Sequence, residues 1–243
     1  MQKKIRAFFS KMYYTSTMKT LSNHTHIITG YYGSGKTEFC LNLAKHFATQ
    51  GHPVTLADLD VINPYVRSRE QEAHLATLGV QVVSSHLDNH TNQDMPALSF
   101  AFTDAMVRGE HVIIDLGGST TGARVLPTVG KYVQSARFWC VLNAFRPETD
   151  KVDKMVQFIH DINKSSPIPI NGLVNNAHLL AFTTSEHVLA GQDMVQQVGQ
   201  QLNLPIVYTH GAELIVKPLA DQLVSAQMLT FEQATMRQAW QSH

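Results

Sequence analysis

Thr29-Gly30-Tyr31-Tyr32-Gly33-Ser34-Gly35-Lys36-Thr37-Glu38-Phe39-Cys40 is the stretch that decides the fold. Gly30 to Thr37 has the spacing GxxxxGK[ST]. An apolar β-run, His26–Thr29, leads into it. Helical spacing of Phe39, Leu43, Ala44 and Phe47 leads out, and Gly51 closes that helix. A glycine-rich turn in this setting points its backbone amides at phosphate oxygens, and the helix behind it adds its positive end. The expected cradle is Gly30, Gly33, Ser34, Gly35, Lys36, Thr37 and Glu38. Lys36 is expected to act catalytically by neutralising the β- and γ-phosphates, and the Thr37 hydroxyl to bind Mg²⁺.

Outward from this stretch, apolar runs alternate with amphipathic ones. Strands are expected at Val54–Ala57, Val80–Ser84, Val112–Ile114, Phe138–Leu142, Ile170–Val174 and Pro205–Tyr208. Helices are expected at Pro64–Leu78, Met95–Val107, Ala123–Gln134, Thr149–Asn163 and Ser185–Leu202, with a mostly helical tail after Ala212. The alternation predicts an α/β fold: a single P-loop NTPase domain over 23–243, with a mostly parallel sheet of about seven strands and helices on both faces. Ligands of such sheets bind beyond the carboxyl ends of the strands.

Two further motifs fall at those ends. His111-Val112-Ile113-Ile114-Asp115-Leu116-Gly117-Gly118 is an apolar strand closed by an acid. Asp115 is expected to hold Mg²⁺, and Gly117 and Gly118 to leave backbone room beside a γ-phosphate. Ala57-Asp58-Leu59-Asp60 places two carboxylates at i, i+2, which leave a strand end on one side. Asn63-Pro64-Tyr65-Val66-Arg67-Ser68-Arg69-Glu70 follows, so Arg67 and Arg69 are candidates to reach a developing phosphate charge; a solvated helix start is the competing reading. Arg124 is a further candidate of the same kind.

Together these motifs resemble the MinD/ParA/Mrp group of P-loop ATPases, which share a nucleotide-binding domain with CobQ and CobB. The resemblance covers roughly Thr25 to Pro218. It implies that Asp60 orients the attacking water and that Asp58 supports the magnesium site. It also implies that Asn175, in Leu173-Val174-Asn175-Asn176, reads adenine. Ala177-His178 follows instead of a guanine-reading NKxD pattern, so ATP is preferred to GTP. Two features depart from the group. Tyr31 stands where a lysine often reaches across a dimer, and no cysteine pair matches the one that bridges an iron–sulfur cluster.

The functions implied are a slow Mg-dependent ATPase switch of the MinD/ParA class or an ATP-dependent small-molecule synthetase of the CobQ/CobB type. An ATP-binding module with little turnover is a third. A protein partner or cargo is expected, and homodimerisation is left open.

Bulk properties narrow the field. The 243 residues carry equal numbers of acids and bases, so nothing demands a nucleic acid partner. Cys40 and Cys140 are far apart and form no metal motif, which fits a reducing cytoplasm. Residues 1–22 read as a basic, aromatic extension, with Met18 able to open a normal chain. His24/His26 and His86/His90 lack a complementary cluster at zinc spacing, and read as solvated loop residues.

Overall fold

The computed structural model describes residues 24–59, 69–84, 103–118, 126, 133–223, 226–232 and 234. Its first strand, β1 (Thr25–Thr29), is buried along its whole length. The sequence THIIT, β-branched at four of five positions and with no charged residue, suits a central strand covered on both sides. The other strands are β2 (Val54–Asp58), β3 (Val80–Ser84), β4 (His111–Asp115), β5 (Arg137–Leu142), β6 (Gly172–Asn175), β7 (Ile206–Ala212) and β8 (Gln227–Phe231). They form one sheet in the order β3-β2-β4-β1-β5-β6-β7-β8. Every neighbouring pair is parallel.

The chain builds outward to β3, returns to β4 beside β1, and then builds out the other way from β5. The carboxyl end of β1 therefore opens at a topological switch point, where such sheets form a crevice.

Alternation along the strands separates two apolar layers. Ile28, Ile113 and Val141 face one way, with Phe39, Leu43 and Phe47 of α1 (Lys36–Thr49) and Leu75 of α2 (Arg69–Thr77). Ile27, Ile114 and Leu142 face the other, with Met155, Ile159 and Ile162 of α3 (Val152–Ser165) and Val195 and Val198 of α4 (Ser185–Leu202). The spacing i, i+4, i+7 in α3 is a single helix face. Thr184 and His187 close the amino end of α4 with a reciprocal capping box.

The single α/β domain and parallel sheet match expectation; the sheet has eight strands where about seven were expected. The difference lies after Ala212. Among the described residues after Ala212, helix is limited to α5 (Glu213–Val216) and a 3₁₀ turn, Lys217–Leu219, and β8 then pairs with β7; the end of the expected helical tail lies outside the described residues. Leu229 is the one fully buried residue of β8, where it joins the layer containing Phe39 and Tyr208. An edge strand with one buried side chain carries no detectable alternation, which is why it reads as part of a tail. The expected helix Ala123–Gln134 lies largely outside the described residues. Of the expected helices Pro64–Leu78 and Met95–Val107, the described parts, Arg69–Thr77 and 103–107, are helical. Among the described residues no helix is long and apolar enough to cross a membrane.

Candidate functional site

The glycine-rich turn sits at the switch point. Ser34 N donates to Tyr31 O at 3.0 Å, closing the turn. Gly33 and Gly35 have φ of +74° and +83°, left-handed values that disfavour other residues. Gly35 caps α1 and, having no side chain, supplies no side-chain cap hydrogen bond. A helix amino end left open in this way is suited to an anion. Lys36 lies buried just inside it, and Thr37 and Glu38 follow half-buried. Asn42 donates to both the backbone oxygen and the carboxylate of Glu38, at 2.8 and 2.9 Å, holding that acid along the helix.

Close approach fixes two other glycines. A Cβ on Gly30 would stand 2.5 Å from Val141 O, and one on Gly118 would stand 2.1 Å from Gly30 O. The exit from β4 thus runs against the first residue of the turn. That contact requires glycine at 118 whether or not a phosphate is present.

The two strand-end acids meet as neighbours. Asp58 and Asp115 are register partners on β2 and β4, and both are buried. Leu59 N donates to Asp115 O at 2.9 Å, and Leu116 N to Ile28 O at 2.9 Å, which fixes both exits relative to β1. The buried Cys40 thiol marks where the charges converge. Burial pushes its pKa well up; Asp115 and Asp58 add to the rise, and Lys36 opposes it. The Lys36 ammonium group and the two carboxyl groups therefore all lie near the first turns of α1.

The turn is also held from the β5–β6 side. Asn176 Nδ2 donates to Ser34 O at 2.6 Å, and Asn176 Oδ1 lies 2.8 Å from His210 Nδ1. Since Ser34 O is an acceptor, the amide orientation is set and His210 Nδ1 carries a proton. Burial holds the His210 pKa down at about 3, so the ring is neutral. Arg146 Nε donates to Gly33 O at 2.9 Å. Asn143, fully buried, ties the two loops: its Oδ1 accepts from Phe145 N and His178 N, each at 3.1 Å, and its Nδ2 donates to His178 O at 3.1 Å. Tyr31, at the expected lysine position, packs its ring edge-on against Phe158 of α3 at 5.6 Å.

Asn175 is placed differently from the base-reading expectation. Its amide donates to Val188 O at 3.1 Å and Gln192 Oε1 at 3.0 Å, both on α4, and its Oδ1 accepts from Ala177 N at 3.1 Å. It is 0% exposed. With both amide hydrogens bonded inside the core it has no donor left for a base, and the neighbour, Asn176, is the one that touches the turn. Arg146 and Asn143 belong to no recognisable motif, and the one signal in the sequence that could mark them is their place just after the apolar strand β5. Asp60 and Arg67 lie outside the described residues, as do Arg124, His86 and His90; Arg69 opens α2, but its side chain is outside them too.

The arrangement fits a magnesium nucleotide. The open helix end, left-handed glycines and buried Lys36 suit phosphates, while the Thr37 hydroxyl and the Asp58 and Asp115 carboxylates are hard oxygen donors. Among the described residues no group of three or more His, Cys, Asp or Glu side chains is placed to enclose a metal. A cation here would share its shell with phosphate and water, as Mg²⁺ commonly does.

The sequence matches no protein-family model and no curated protein. Solved structures match in fold. Cell division protein FtsY from Thermotoga maritima is 23% identical, with a TM-score of 0.54 over 76% of this chain and 60% of that one. Chloroplast FtsY from Physcomitrella patens is 19% identical, with a TM-score of 0.53 over 80% and 65%. Signal recognition particle receptor FtsY from Elizabethkingia anophelis, in complex with GDP, is 17% identical, with a TM-score of 0.53 over 77% and 57%. This chain thus spans less than two thirds of the length of each. The likeness establishes the P-loop NTPase fold.

Proposed function

We propose that the chain binds a magnesium nucleoside triphosphate, ATP in preference to GTP, and works as a slow ATPase switch of the MinD/ParA class. The observation that carries this reading is the uncapped glycine turn with Lys36 buried in it, beside the in-register pair Asp58 and Asp115. Lys36 neutralises phosphate charge, and Thr37, Asp58 and Asp115 hold the cation. Bound Mg²⁺ supplies neutralisation of phosphate oxygens. The preference for ATP rests on Asn176-Ala177-His178-Leu179, which carries no acid to pair with a guanine edge. The GDP seen in one fold relative leaves the base open to measurement in this chain.

Lys36→Ala is expected to lower ATP affinity by about a hundredfold or more, because a buried phosphate then lacks its countercharge. Omitting magnesium should weaken wild-type binding and leave Asp115→Asn binding nearly unchanged. Calorimetry with ATP and GTP reads all three points, and unchanged affinity in Lys36→Ala would end the P-loop assignment.

Turnover depends on residues that the resemblance points to. Asp60 orients water, and Arg67 or Arg69 supplies charge that Tyr31 cannot. Alanine at the operative arginine should lower kcat much more than it weakens ATP binding. If both single variants hydrolyse ATP like the wild type, the arginine assignment is wrong.

A further inference from the structure

We propose that Arg146 is a nucleotide-binding residue, a second cation beside Lys36 that acts on the phosphate chain from the outer rim of the glycine turn. The inference rests on the nucleotide reading above and adds a residue from the β5 side.

Three observations carry it. Arg146 Nε donates to Gly33 O, and a Cβ built on Gly33 would meet the Arg146 Cζ and Nε at 3.1 Å and Nη2 at 3.4 Å. The guanidinium therefore lies against the α-carbon of a loop residue, where a side chain at 33 would press on it, and the φ of +74° independently favours glycine there. Next, Arg146 is half-buried, yet among the described residues it forms no ion pair; its one side-chain hydrogen bond is to a neutral carbonyl. A partly desolvated guanidinium gains most from an anion, and it has a two-nitrogen edge beyond Nε to offer one. Finally, its backbone is set in advance. Thr149 N donates to Arg146 O at 2.9 Å, and the buried Thr149 Oγ1 donates to Asn143 O at 2.6 Å, closing the loop that follows β5. The arginine is held in place before any ligand arrives, so little ordering cost remains.

The test separates charge from clamping. Arg146→Gln can donate one N–H toward Gly33 O but has no charge; Arg146→Lys keeps charge but loses the planar fork. With the full chain and Mg-ATP in calorimetry, Arg146→Gln is expected to bind about ten- to a hundredfold more weakly than wild type. Arg146→Lys should fall between the two. Wild-type affinity should also decline more steeply with salt than that of Arg146→Gln. Melting of the nucleotide-free variants, compared with wild type, shows whether each is folded; Arg146→Lys carries the comparison if the glutamine variant is not. Wild-type affinity in Arg146→Gln, or a lysine variant no better than the glutamine one, overturns the proposal. If Arg146→Gln keeps its affinity while Lys36→Ala loses it, this inference alone fails. If Lys36→Ala also keeps it, the P-loop reading fails and takes this inference with it.

Discussion

The two ends of the sheet both bury polar side chains, by opposite means. At the carboxyl ends, Lys36, Asp58 and Asp115 stand together, and Asn176, Asn143 and Arg146 bond backbone atoms of the surrounding loops. At the amino ends the polar groups are histidine rings in an aromatic stack. His24 Nδ1 lies 3.2 Å from His111 Nε2. The His111 ring stacks on Phe47 at 4.0 Å, and His26 packs against Phe47 and Trp139 at 5.1 and 5.0 Å. Arg137, at the start of β5, adds a positive charge that both His26 and His111 feel. One end gathers an ammonium group and two carboxyl groups around the glycine turn, with the neutral His210 ring behind Asn176. The other holds ionisable groups in their neutral form, with burial as the main cause: His26 is held well below its ordinary pKa and His111 down at about 4. Buried polarity at the first end suits a ligand. At the second it serves packing, and its expectation as solvated loop residues is corrected for His24 and His26 by their place in this stack.

The comparison can be broken at either end. The largest effect expected is the loss of ATP binding in Lys36→Ala, read by calorimetry, because the phosphates then lack their buried countercharge.

Next is acid stability. The histidines have folded pKa values below the unfolded value of about 6.5, so below that pH the unfolded chain binds more protons. Stability should be at its full value above pH ~6.5 and fall as the pH drops toward the His111 value of about 4, by roughly 1.4 kcal/mol for each unit by which a histidine pKa is depressed. Urea unfolding across this range measures the slope. His111→Phe keeps a ring on Phe47 and removes one titrating group, and it should flatten the slope. An unchanged slope would mean that the other depressed histidines, His26 and His210, carry the effect without His111.

The smallest change expected concerns Asn175. Asn175→Ala removes its bonds to α4 and should cost about 1–3 kcal/mol of stability while leaving the ratio of ATP to GTP affinity as in wild type. Loss of the preference in a folded variant would show that this amide reaches the base after α4 shifts.

Much of this was legible in the chain. Local chemistry dictates the turn at Gly30–Thr37, since only glycine readily adopts the φ of +83° seen at Gly35. Helix α4 was legible to the residue, Ser185–Leu202, while its Thr184/His187 capping box emerged only in the structure. Asp115 was legible because an apolar run must end somewhere, and in a parallel sheet it ends at the ligand side. The choice between Asn175 and Asn176 was not. Two adjacent residues leaving a strand point to opposite sides, and which side holds the turn depends on how β6 lies between β5 and β7. β8 was hidden for a related reason, since its single buried contact comes from α1 and the strand beside it.

By itself, then, the sequence determined the parallel α/β class, the glycine turn and the strand-end acids. Those properties follow from backbone preference and periodicity over a few neighbouring residues. Tertiary structure alone decided that Asp58 and Asp115 are register partners, that Gly118 must clear Gly30 O, and that Arg146 reaches Gly33 across 113 positions of chain. Each of those facts is a contact between segments distant in sequence. Contacts of that kind are set by strand order and packing in the sheet, which no short window of residues encodes.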